Sequence, residues 1–558
     1  MAGQLDRMRG EIFPTLTSGQ IERLRAFGEE RDVAAGEYLV RTGDRRYPLI
    51  VVLSGQTEIL DTTSGEDRLV NRTNPGEFNG ELGMLTGMRA LIDCRVVEAG
   101  RVLLLSPEAV AEVIRTVPDV GDVLVTAFAA RRLNMMRQAG GTLAIVGSPT
   151  SPDALALLEY VDRNRVPHTW YDVDDPAAPG REQAGGAQVW AVVRGSRVVA
   201  EPAPIDLAKA MGVDLAVRHD DPYDLVVVGA GPSGLAAAVY GASEGLSTVV
   251  VEDAAIGGQA GSSSKIENYL GFPTGISGAD LAFLSEIQAI KFGARLTVPR
   301  RAVALDQDGG LWRVRLDGDG EVRGRSVVIA TGARYRRLGV PGDERFEGAG
   351  IYYAATDLEA RFCIGNEVAV VGGGNSSGQA VMFLSRYARR VHIIHRRPDV
   401  LASMSDYLID RIERTPNVER HMSSRIVAVH GEHALAGITC EGPKGAFDLP
   451  TKAVFAMIGA EPGTAWVRGT LDLDGRGFVV TGLSGTESPF AASLPGVFAV
   501  GDVRSGSVKR VASAVGEGSV VVASVHRWLG EGEPISATSE GVPVPASADD
   551  SGAARPSA

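Results

Sequence analysis

Three glycines, at positions 229, 231 and 234, follow an apolar strand within 225-LVVVGAGPSGLAAAVYGASEGLSTVVVEDA-254. Gly229 permits a tight turn, Gly231 allows the backbone to approach a pyrophosphate, and Gly234 allows helix and strand to pack closely. The helix that follows offers free N–H groups and a partial positive charge to phosphates. A second strand ends at Glu252, whose carboxylate can accept a hydrogen bond from a ribose hydroxyl. This spacing predicts a dinucleotide-binding site.

The arrangement recurs in 367-EVAVVGGGNSSGQAVMFLSRYARRVHIIHRR-397, where Gly372 and Gly374 fill the first two positions and Ser377 takes the third. The second strand of this unit ends in 395-HRR-397 instead of an acid. A carboxylate there would repel a 2′-phosphate, whereas two guanidinium groups can bind one bidentately. The first unit is therefore predicted to hold FAD and the second NADPH.

The rest of the chain must supply the strands and helices that position these turns. Its 558 residues predict three or four domains at about 150 residues each. Hydrophobic residues make up 44% and charged residues 22%, which is typical of a globular protein. The 69 glycines lie in short clusters beside apolar runs, without the fixed period of a collagen-like chain.

Charge and cysteine content exclude several classes of protein. The net charge of −13 argues against a nucleic-acid-binding surface. The three cysteines, Cys94, Cys363 and Cys440, show no CxxC and no Cys/His ligand spacing, so we expect neither a disulfide scaffold nor a metal site. No apolar signal-peptide stretch begins the chain, and glycines and a proline interrupt the most apolar window, 224–242. We therefore expect a cytoplasmic protein without membrane contact.

The order of the elements predicts several units. Residues 1–140 contain a short helix over 18–29, small strands and two closing helices over 107–118 and 119–136, a pattern that favours a β-barrel with terminal helices. Residues 141–217 alternate strand, helix, strands and helix, and strands alternate with helices up to residue 530. The last segment, 531–558, is rich in Ser, Pro, Gly and Ala, so we expect it to be disordered.

The region 222–530 resembles the low-molecular-weight thioredoxin reductases, which are flavoproteins with two dinucleotide folds. The matching motifs occur in the family's order: 229-GAGPSG-234, 257-GGQ-259, 266-IENYLGFP-273, 327-VVIATGA-333, 372-GGGNS-376, 395-HRR-397 and 496-GVFAVGD-502. The resemblance implies an α/β fold with two Rossmann-like domains. Residues 218–338 and 457–530 would form the FAD domain, and 339–456 an inserted NADPH domain. We also expect a homodimer.

The resemblance suggests roles for single residues. The expected FAD-binding residues are Gly229, Gly231, Ser233, Gly234, Glu252, Gly258, Gln259, Asn268, Ala330, Thr331, Gly332, Asp502, Arg510 and Val511. The expected NADPH-binding residues are Gly372, Gly374, Asn375, Ser376, His395, Arg396 and Arg397. Among them, Asp502 would bond the ribityl chain, at the mouth of a helix whose positive end could face the flavin. Two departures are Lys509-Arg510, where the family usually has Arg-Gln, and Leu401, where it has a third basic residue.

The catalytic dithiol of the family is missing. In 350-GIYYAATDLEARFCIGNEVAVVGGG-374, Ala354 and Asp357 occupy the two cysteine positions, and neither side chain can form a disulfide. Cys363 has no partner cysteine nearby and is expected to be buried. We assign no catalytic residue. The sequence predicts an FAD-dependent NAD(P)H oxidoreductase with an acceptor other than thioredoxin. That acceptor could be a quinone, a small disulfide, an iron–sulfur or flavin protein, or oxygen. The alternative is a redox or nucleotide sensor without appreciable turnover.

Residues 1–140 resemble a cyclic-nucleotide-binding domain, on the segments 36-GEYLVRTGD-44, 54-SGQTEIL-60 and 76-GEFNGELGMLTGMRALIDCRV-96. The resemblance implies that Gly80 and Glu81 meet the ribose hydroxyl and that Arg89 neutralises the cyclic phosphate. Asp93 would oppose a phosphate, so we expect at most weak binding of a cyclic nucleotide. A degenerate module that serves dimer or partner contact is the alternative.

Residues 141–217 resemble a thioredoxin or glutaredoxin domain. A strand over 142–147 is followed by 148-SPTSPD-153, where a redox-active CxxC would stand. Without cysteines this unit cannot perform dithiol chemistry, so we expect a spacer or a docking module.

Overall fold

The structure is a computed structural model that carries side chains. It describes residues 10–61, 67–90, 92–137, 143–149, 151–193, 197–213, 215, 221–263, 266, 268–318, 320–346, 349–353, 355, 359–360, 363–398, 404–483 and 488–531.

An antiparallel sheet and the helices that accompany it form the N-terminal part. Its elements are α1 (Ser18–Leu24), β1 (Glu29–Val33), β2 (Tyr38–Val40), β3 (Leu49–Asp61), β4 (Arg68–Thr73), β5 (Phe78–Asn79), β6 (Asp93–Leu105), α2 (Pro107–Thr116) and α3 (Pro118–Arg137). The strand order is β1-β6-β3-β4, with β2 paired to β6 and β5 to β3. Leu49 and Ile50 of β3 and Phe128 of α3 are buried in one apolar core.

A smaller four-stranded sheet follows. Its elements are β7 (Leu143–Gly147), α4 (Pro152–Arg163), β8 (Thr169–Asp172), β9 (Trp190–Val193), β10 (Arg197–Ala200) and α5 (Pro204–Met211). The strand order is β10-β9-β7-β8, in which only β7 and β8 are parallel. The Ser151 hydroxyl caps α4 by accepting the Ala154 N–H at 3.4 Å, and Pro152 suits the first helical position.

The remaining strands and helices run from residue 223 to residue 531. They are β11 (Tyr223–Val228), α6 (Pro232–Ser243), β12 (Thr248–Val251), α7 (Gly258–Gly261), α8 (Gly278–Lys291), β13 (Arg295–Thr297), β14 (Ala302–Asp308), β15 (Leu311–Leu316), β16 (Glu321–Ile329), β17 (Ala333–Tyr335), β18 (Ile351–Tyr352), β19 (Glu367–Val371), α9 (Asn375–Leu384), β20 (Arg390–His395), α10 (Asp406–Glu413), β21 (Val418–Met422), β22 (Arg425–Gly431), β23 (Leu435–Gly442), β24 (Gly445–Leu449), β25 (Ala453–Ala456), β26 (Ala460–Pro462), β27 (Val497–Ala499) and α11 (Val511–Glu531).

A seven-stranded sheet carries the first glycine turn. Its order is β13-β12-β11-β16-β15-β14, and β27 also pairs with β16. Strands β11, β12, β13, β16 and β27 are parallel, so their carboxyl ends lie at one edge. Leu225 and Val227 belong to one core layer, whereas Val226 and Val228 belong to another. Burial on both faces explains why β11 is continuously apolar.

A five-stranded parallel sheet, in the order β18-β25-β19-β20-β21, carries the second glycine turn. Helices α9 and α10 cover one of its faces, where Val391 and Ile393 of β20 are buried. The antiparallel strands β22-β23-β24 cover the other face, where Ile394 is buried with Ile438. Strands β17 and β26 pair antiparallel at the junction of the two large sheets. Within the described residues, no helix is both long and apolar enough to span a bilayer.

Candidate functional site

The first glycine turn joins β11 to α6 at the carboxyl edge of the seven-stranded sheet. Gly229 has φ +107°, and a Cβ there would lie 2.3 Å from the carbonyl oxygen of Ala330. A Cβ at Gly234 would lie 1.8 Å from the Gly229 carbonyl oxygen. Gly231, by contrast, has φ −71° and ψ 179°, and among the described residues a Cβ there would have only Gly258 Cα, 4.0 Å away, as a near neighbour. Packing requires the outer two glycines, while Gly231 leaves open space that fits a pyrophosphate at the N-terminus of α6.

Two other loops border this space. A Cβ at Gly258, the first residue of α7, would lie 3.0 Å from Gly231 Cα. Ala330 follows β16, and its N–H donates to the Val228 carbonyl at 2.8 Å. The next residue, Thr331, donates its hydroxyl to the Gly463 carbonyl at 2.9 Å. The structure therefore brings 229–234, 258 and 330–332 together, as their predicted shared role requires.

Glu252 follows β12 directly and lies beside the glycine turn. One carboxylate oxygen accepts the Ala230 N–H at 2.7 Å, and the other accepts the Ala254 N–H at 3.0 Å. Burial raises the pKa of the Glu252 carboxyl, and the charge of Asp253 adds to the rise. Oε1 also accepts the Ala255 N–H at 3.3 Å, so three bonds fix the carboxylate. Oε2, which accepts the Ala230 N–H, has a second lone pair that can still accept a ribose hydroxyl.

Asp502 reaches the same edge from β27. Burial raises the pKa of the Asp502 carboxyl above its ordinary value, and the nearby Lys509 ammonium offsets part of that rise. Lys509 Nζ also donates to the backbone carbonyl of Asp502 at 3.0 Å. A Cβ on the preceding Gly501 would lie 2.5 Å from Ser233 Oγ, so the Asp502 loop packs on the start of α6. Helix α11 begins shortly afterwards, at Val511.

The second glycine turn joins β19 to α9. Gly372 has φ +141°, and a Cβ there would lie 2.2 Å from the Met457 carbonyl oxygen. Ser377, at the third glycine position, is buried and donates its hydroxyl to the Gly372 carbonyl at 3.1 Å. Gly374 is extended (φ −93°, ψ −179°), and Asn375 is the first residue of α9. The serine therefore fits the turn, because its hydroxyl bonds to the backbone that a third glycine would approach.

The end of β20 lies beside that turn. His395 is buried, and a Cβ built on Gly373 would lie 2.4 Å from its ring atom Cε1. Arg396 and Arg397 follow the strand and are exposed. Two exposed guanidinium groups beside a helix N-terminus fit the adenosine 2′-phosphate of NADPH. Leu401 lies outside the described residues.

Four other predicted contact residues are partly or fully exposed to solvent. Gln259 is half-buried in α7, and the exposed ones are Asn268, Ser376 and Arg510.

The cysteines lie in three separate cores. Cys94, Cys363 and Cys440 are all free and buried, and each belongs to a different apolar cluster. Burial raises the thiol pKa to about 12 at Cys94 and Cys363, and to about 11 at Cys440. Cys363 Sγ donates to the Glu359 carbonyl at 3.2 Å, which agrees with its predicted buried position. Ala354 and Asp357 lie outside the described residues.

Beside the N-terminal sheet lies an open pocket of about 110 Å³ with mostly apolar walls, lined by strands of the sheet and by α3. Gly80 and Glu81 line the pocket, and Arg89 does not. Asp93, which was expected to oppose a phosphate, is buried and accepts the Thr42 N–H at 2.6 Å.

The polar residues of this region are bound to protein groups. Glu81 accepts the Tyr47 hydroxyl at 2.6 Å and pairs with Arg132 at 2.9 Å, with all three side chains buried. Arg89 donates to the Gly43 carbonyl at 3.2 Å. A Cβ on Gly212, after α5, would lie 2.3 Å from Arg89 Nε, so Arg89 packs against the second unit.

The end of α4 contacts the loop that borders the first glycine turn. Arg163 Nη2 donates to the Gly258 carbonyl at 2.6 Å, and Asn164 Nδ2 donates to the Ala254 carbonyl at 3.2 Å. Arg165 pairs with Asp280 of α8 at 2.6 Å. The sequence alone did not predict these contacts, because no sequence pattern indicates a hydrogen bond between a side chain and a backbone carbonyl 95 residues away.

Comparisons with known proteins agree with this geometry. A family model described as pyridine nucleotide-disulphide oxidoreductase matches residues 223–518, and one described as cyclic nucleotide-binding domain matches residues 30–117. The thioredoxin reductase of Streptomyces clavuligerus is 33% identical over 313 residues, covering 55% of this chain and 94% of the relative. A 34.2 kDa protein in the rubredoxin operon of Clostridium pasteurianum is 32% identical over 324 residues, covering 56% and 99%. The crystal structure of Lactococcus lactis thioredoxin reductase aligns with a TM-score of 0.52 at 26% identity, covering 55% and 99%.

Proposed function

Because the chain belongs to the pyridine nucleotide-disulphide oxidoreductases, as a thioredoxin-reductase-like flavoprotein, we propose that it moves electrons from NADPH through FAD to an acceptor other than thioredoxin. The state of the cysteines carries the proposal. Exchange with a disulfide needs a thiolate and a second thiol to resolve the mixed disulfide. All three thiols of the chain are buried in different cores, with pKa values raised by burial to about 11 or 12. No two of them can form the dithiol that thioredoxin reduction requires.

The two glycine turns are the proposed cofactor sites. Bound FAD would supply the redox chemistry, taking a hydride from NADPH and releasing electrons to the acceptor. The residues of this chain would bind the FAD and fix its orientation. The open space at Gly231 admits the pyrophosphate to the N-terminus of α6, and Glu252 holds a ribose hydroxyl. Asp502 lies at the same edge, where its carboxyl can accept a hydrogen bond from the ribityl chain.

The second turn selects the electron donor. Gly372 and Ser377 set the turn, and Arg396 and Arg397 offer exposed positive charge at the end of β20. We propose that these arginines bind the 2′-phosphate, which makes NADPH the preferred nucleotide over NADH.

The N-terminal units are proposed to be non-catalytic. The order β10-β9-β7-β8, with one parallel pair, supports a thioredoxin-like unit, and its segment 148–153 contains no cysteine. The buried Tyr47–Glu81–Arg132 cluster supports weak binding of cyclic nucleotides, because Glu81 is already bound to protein groups.

Steady-state NADPH oxidation with a panel of acceptors tests this function. We expect turnover with a quinone, or with an artificial one-electron acceptor, in protein loaded with FAD. Flavin reduction by NADPH without turnover on any acceptor would contradict the enzyme proposal.

The contacts of α4 favour a second candidate, a sensor in which the N-terminal units respond to the flavin site. Arg163 bonds directly to the backbone of Gly258, beside the first glycine turn. If the sensor function holds, cyclic-nucleotide binding or partner binding by the wild-type protein changes when the flavin is reduced, and Arg163→Ala weakens that change. In a pure enzyme, these binding properties do not depend on the redox state of the flavin in either protein.

A further inference from the structure

Two histidines and a glutamate meet on neighbouring strands of the five-stranded sheet. His392 lies on β20, and Glu419 and His421 lie on β21. The parallel register places His392 opposite Glu419, with His421 two residues further along the same face. The side chain of His392 is 3% exposed and that of His421 is 14% exposed. The site opens to solvent through Glu419, which is 45% exposed.

The ligand atoms are close enough to share one ion. His392 Nδ1 lies 3.0 Å from His421 Nε2. The Glu419 carboxylate lies 3.8 Å from His392 Nδ1 and 3.7 Å from His421 Nε2. A tetrahedral Zn²⁺ site with bonds of 2.0–2.1 Å has ligand-to-ligand separations of about 3.3–3.4 Å. His421 Nε2 lies within about half an ångström of this spacing from both His392 Nδ1 and Glu419 Oε1. One ligand atom from each of the three residues lies within 4.8 Å of the other two.

The surroundings of His392 orient its ring for coordination. Its other nitrogen, Nε2, lies 3.3 Å from the Glu367 carboxylate, which also pairs with Arg389 at 3.1 Å. A carboxylate acceptor on the far nitrogen places the proton there and leaves Nδ1 with its lone pair facing His421 and Glu419. Histidines that ligate metals commonly have such a carboxylate partner.

The neighbours of the other two ligands leave one position open. The His421 ring stacks on Phe447 of β24, with ring centroids 5.2 Å apart. Arg390 donates to Oε2 of Glu419 at 2.7 Å, whereas Oε1 is the oxygen that lies 3.7 Å from His421. Oε1 is thus available to a cation while Oε2 stays paired, and solvent can supply a fourth ligand.

We propose that His392, His421 and Glu419 bind a divalent transition-metal ion, with Zn²⁺ as the best match. Imidazole nitrogens with a single carboxylate suit zinc, whereas Mg²⁺ and Ca²⁺ prefer all-oxygen sites. The ion links β20 to β21 at His392, four residues before Arg396. It is a structural ion of the nucleotide-binding sheet, and it does not depend on which acceptor the protein uses.

The test is a Zn²⁺ titration of tag-free, full-length protein loaded with FAD, after removal of bound metals with a chelator. Calorimetry is expected to give about one ion per chain, by the one-site geometry. Glu419→Gln and His421→Ala are each expected to weaken binding at least 100-fold. Glu367→Gln, which removes the negative charge beside His392 and Arg389, is expected to weaken it about 10- to 100-fold. His430→Ala changes an exposed histidine on β22 and is the matched control.

Retained flavin absorbance shows that each variant is folded. If His421→Ala fails to fold, Glu419→Gln, which changes the most exposed of the three ligands, tests the site in its place. Co²⁺ in place of Zn²⁺ is expected to give the visible absorption of a tetrahedral ion in wild type and in His430→Ala, but not in His421→Ala. Equal Zn²⁺ binding by wild type, Glu419→Gln and His421→Ala, or no binding by wild type, would overturn the proposal. The two imidazoles would then share only a hydrogen bond.

Discussion

Replacement of Gly231 by alanine separates the binding of FAD from the stability of the fold. The residue has φ −71° and ψ 179°, which alanine adopts without strain, and the added Cβ would have no neighbour closer than 4.0 Å in the described part of the chain. We therefore expect the free energy of unfolding of the apoprotein to change by no more than about 0.5 kcal/mol. The Cβ would occupy the space through which the pyrophosphate reaches the N–H groups of α6. Loss of one charge-assisted hydrogen bond, about 1.5–3 kcal/mol, raises the Kd for FAD about 10- to 150-fold.

The assay pairs a fluorescence titration of apoprotein with FAD and a thermal unfolding curve of the same apoprotein. Gly234→Ala is the contrasting variant, since its Cβ would lie 1.8 Å from the Gly229 carbonyl oxygen and must lower the Tm. Gly530→Ala, near the end of α11, is the neutral control, because no atom of the residues that the structure describes lies within 4 Å of the new Cβ. Unchanged FAD affinity in Gly231→Ala would refute the site, as would a fall in Tm equal to that of Gly234→Ala.

Other predictions concern the second nucleotide, the N-terminal unit and the thiols. Arg396→Ala is expected to weaken NADPH binding about 10- to 150-fold, the value of one charge-assisted bond, and to leave NADH binding unchanged. Arg425→Ala, at an exposed arginine paired with Glu441, is the control, and equal loss for both nucleotides would contradict the assignment. Calorimetry with cAMP and cGMP is expected to show weak binding at most; tight binding that survives Arg89→Ala would refute the predicted phosphate contact. Iodoacetamide is expected to spare Cys363 in folded protein at pH 8, because a thiol with a pKa of about 12 is ionised there to about one part in 10⁴. Rapid labelling of native protein would disprove its burial.

The features that sequence could predict are those set by local pattern. The apolar run before Gly229 predicts a strand, and β11 covers it as Tyr223–Val228. The helix predicted at 119–136 is observed as Pro118–Arg137. The helix predicted at 18–29 ends at Leu24, because the chain tightens into a 3₁₀ turn over Arg25–Phe27. Local residue patterns determine these elements, so they can be predicted without information on distant contacts.

The features that sequence could not predict depend on how distant elements pack. His392 and His421 meet only because β20 and β21 pair in one register, across 29 residues. The spacing of Cys and His in the sequence gave no sign of a metal site for that reason. Arg89, which the resemblance assigns to the phosphate, packs on Gly212 of the next unit, a contact that arises only when the two units dock.

The rate of NADPH oxidation with thioredoxin and insulin, set against the rate with a quinone, tests the central claim most directly. The chain is expected to turn over with the quinone and to show negligible activity with thioredoxin, because it has no dithiol to carry the electrons. Cys363→Ser is expected to leave the quinone activity largely intact. Robust thioredoxin-dependent turnover that disappears in Cys363→Ser would contradict the account, since it would show that this thiol takes part in electron transfer.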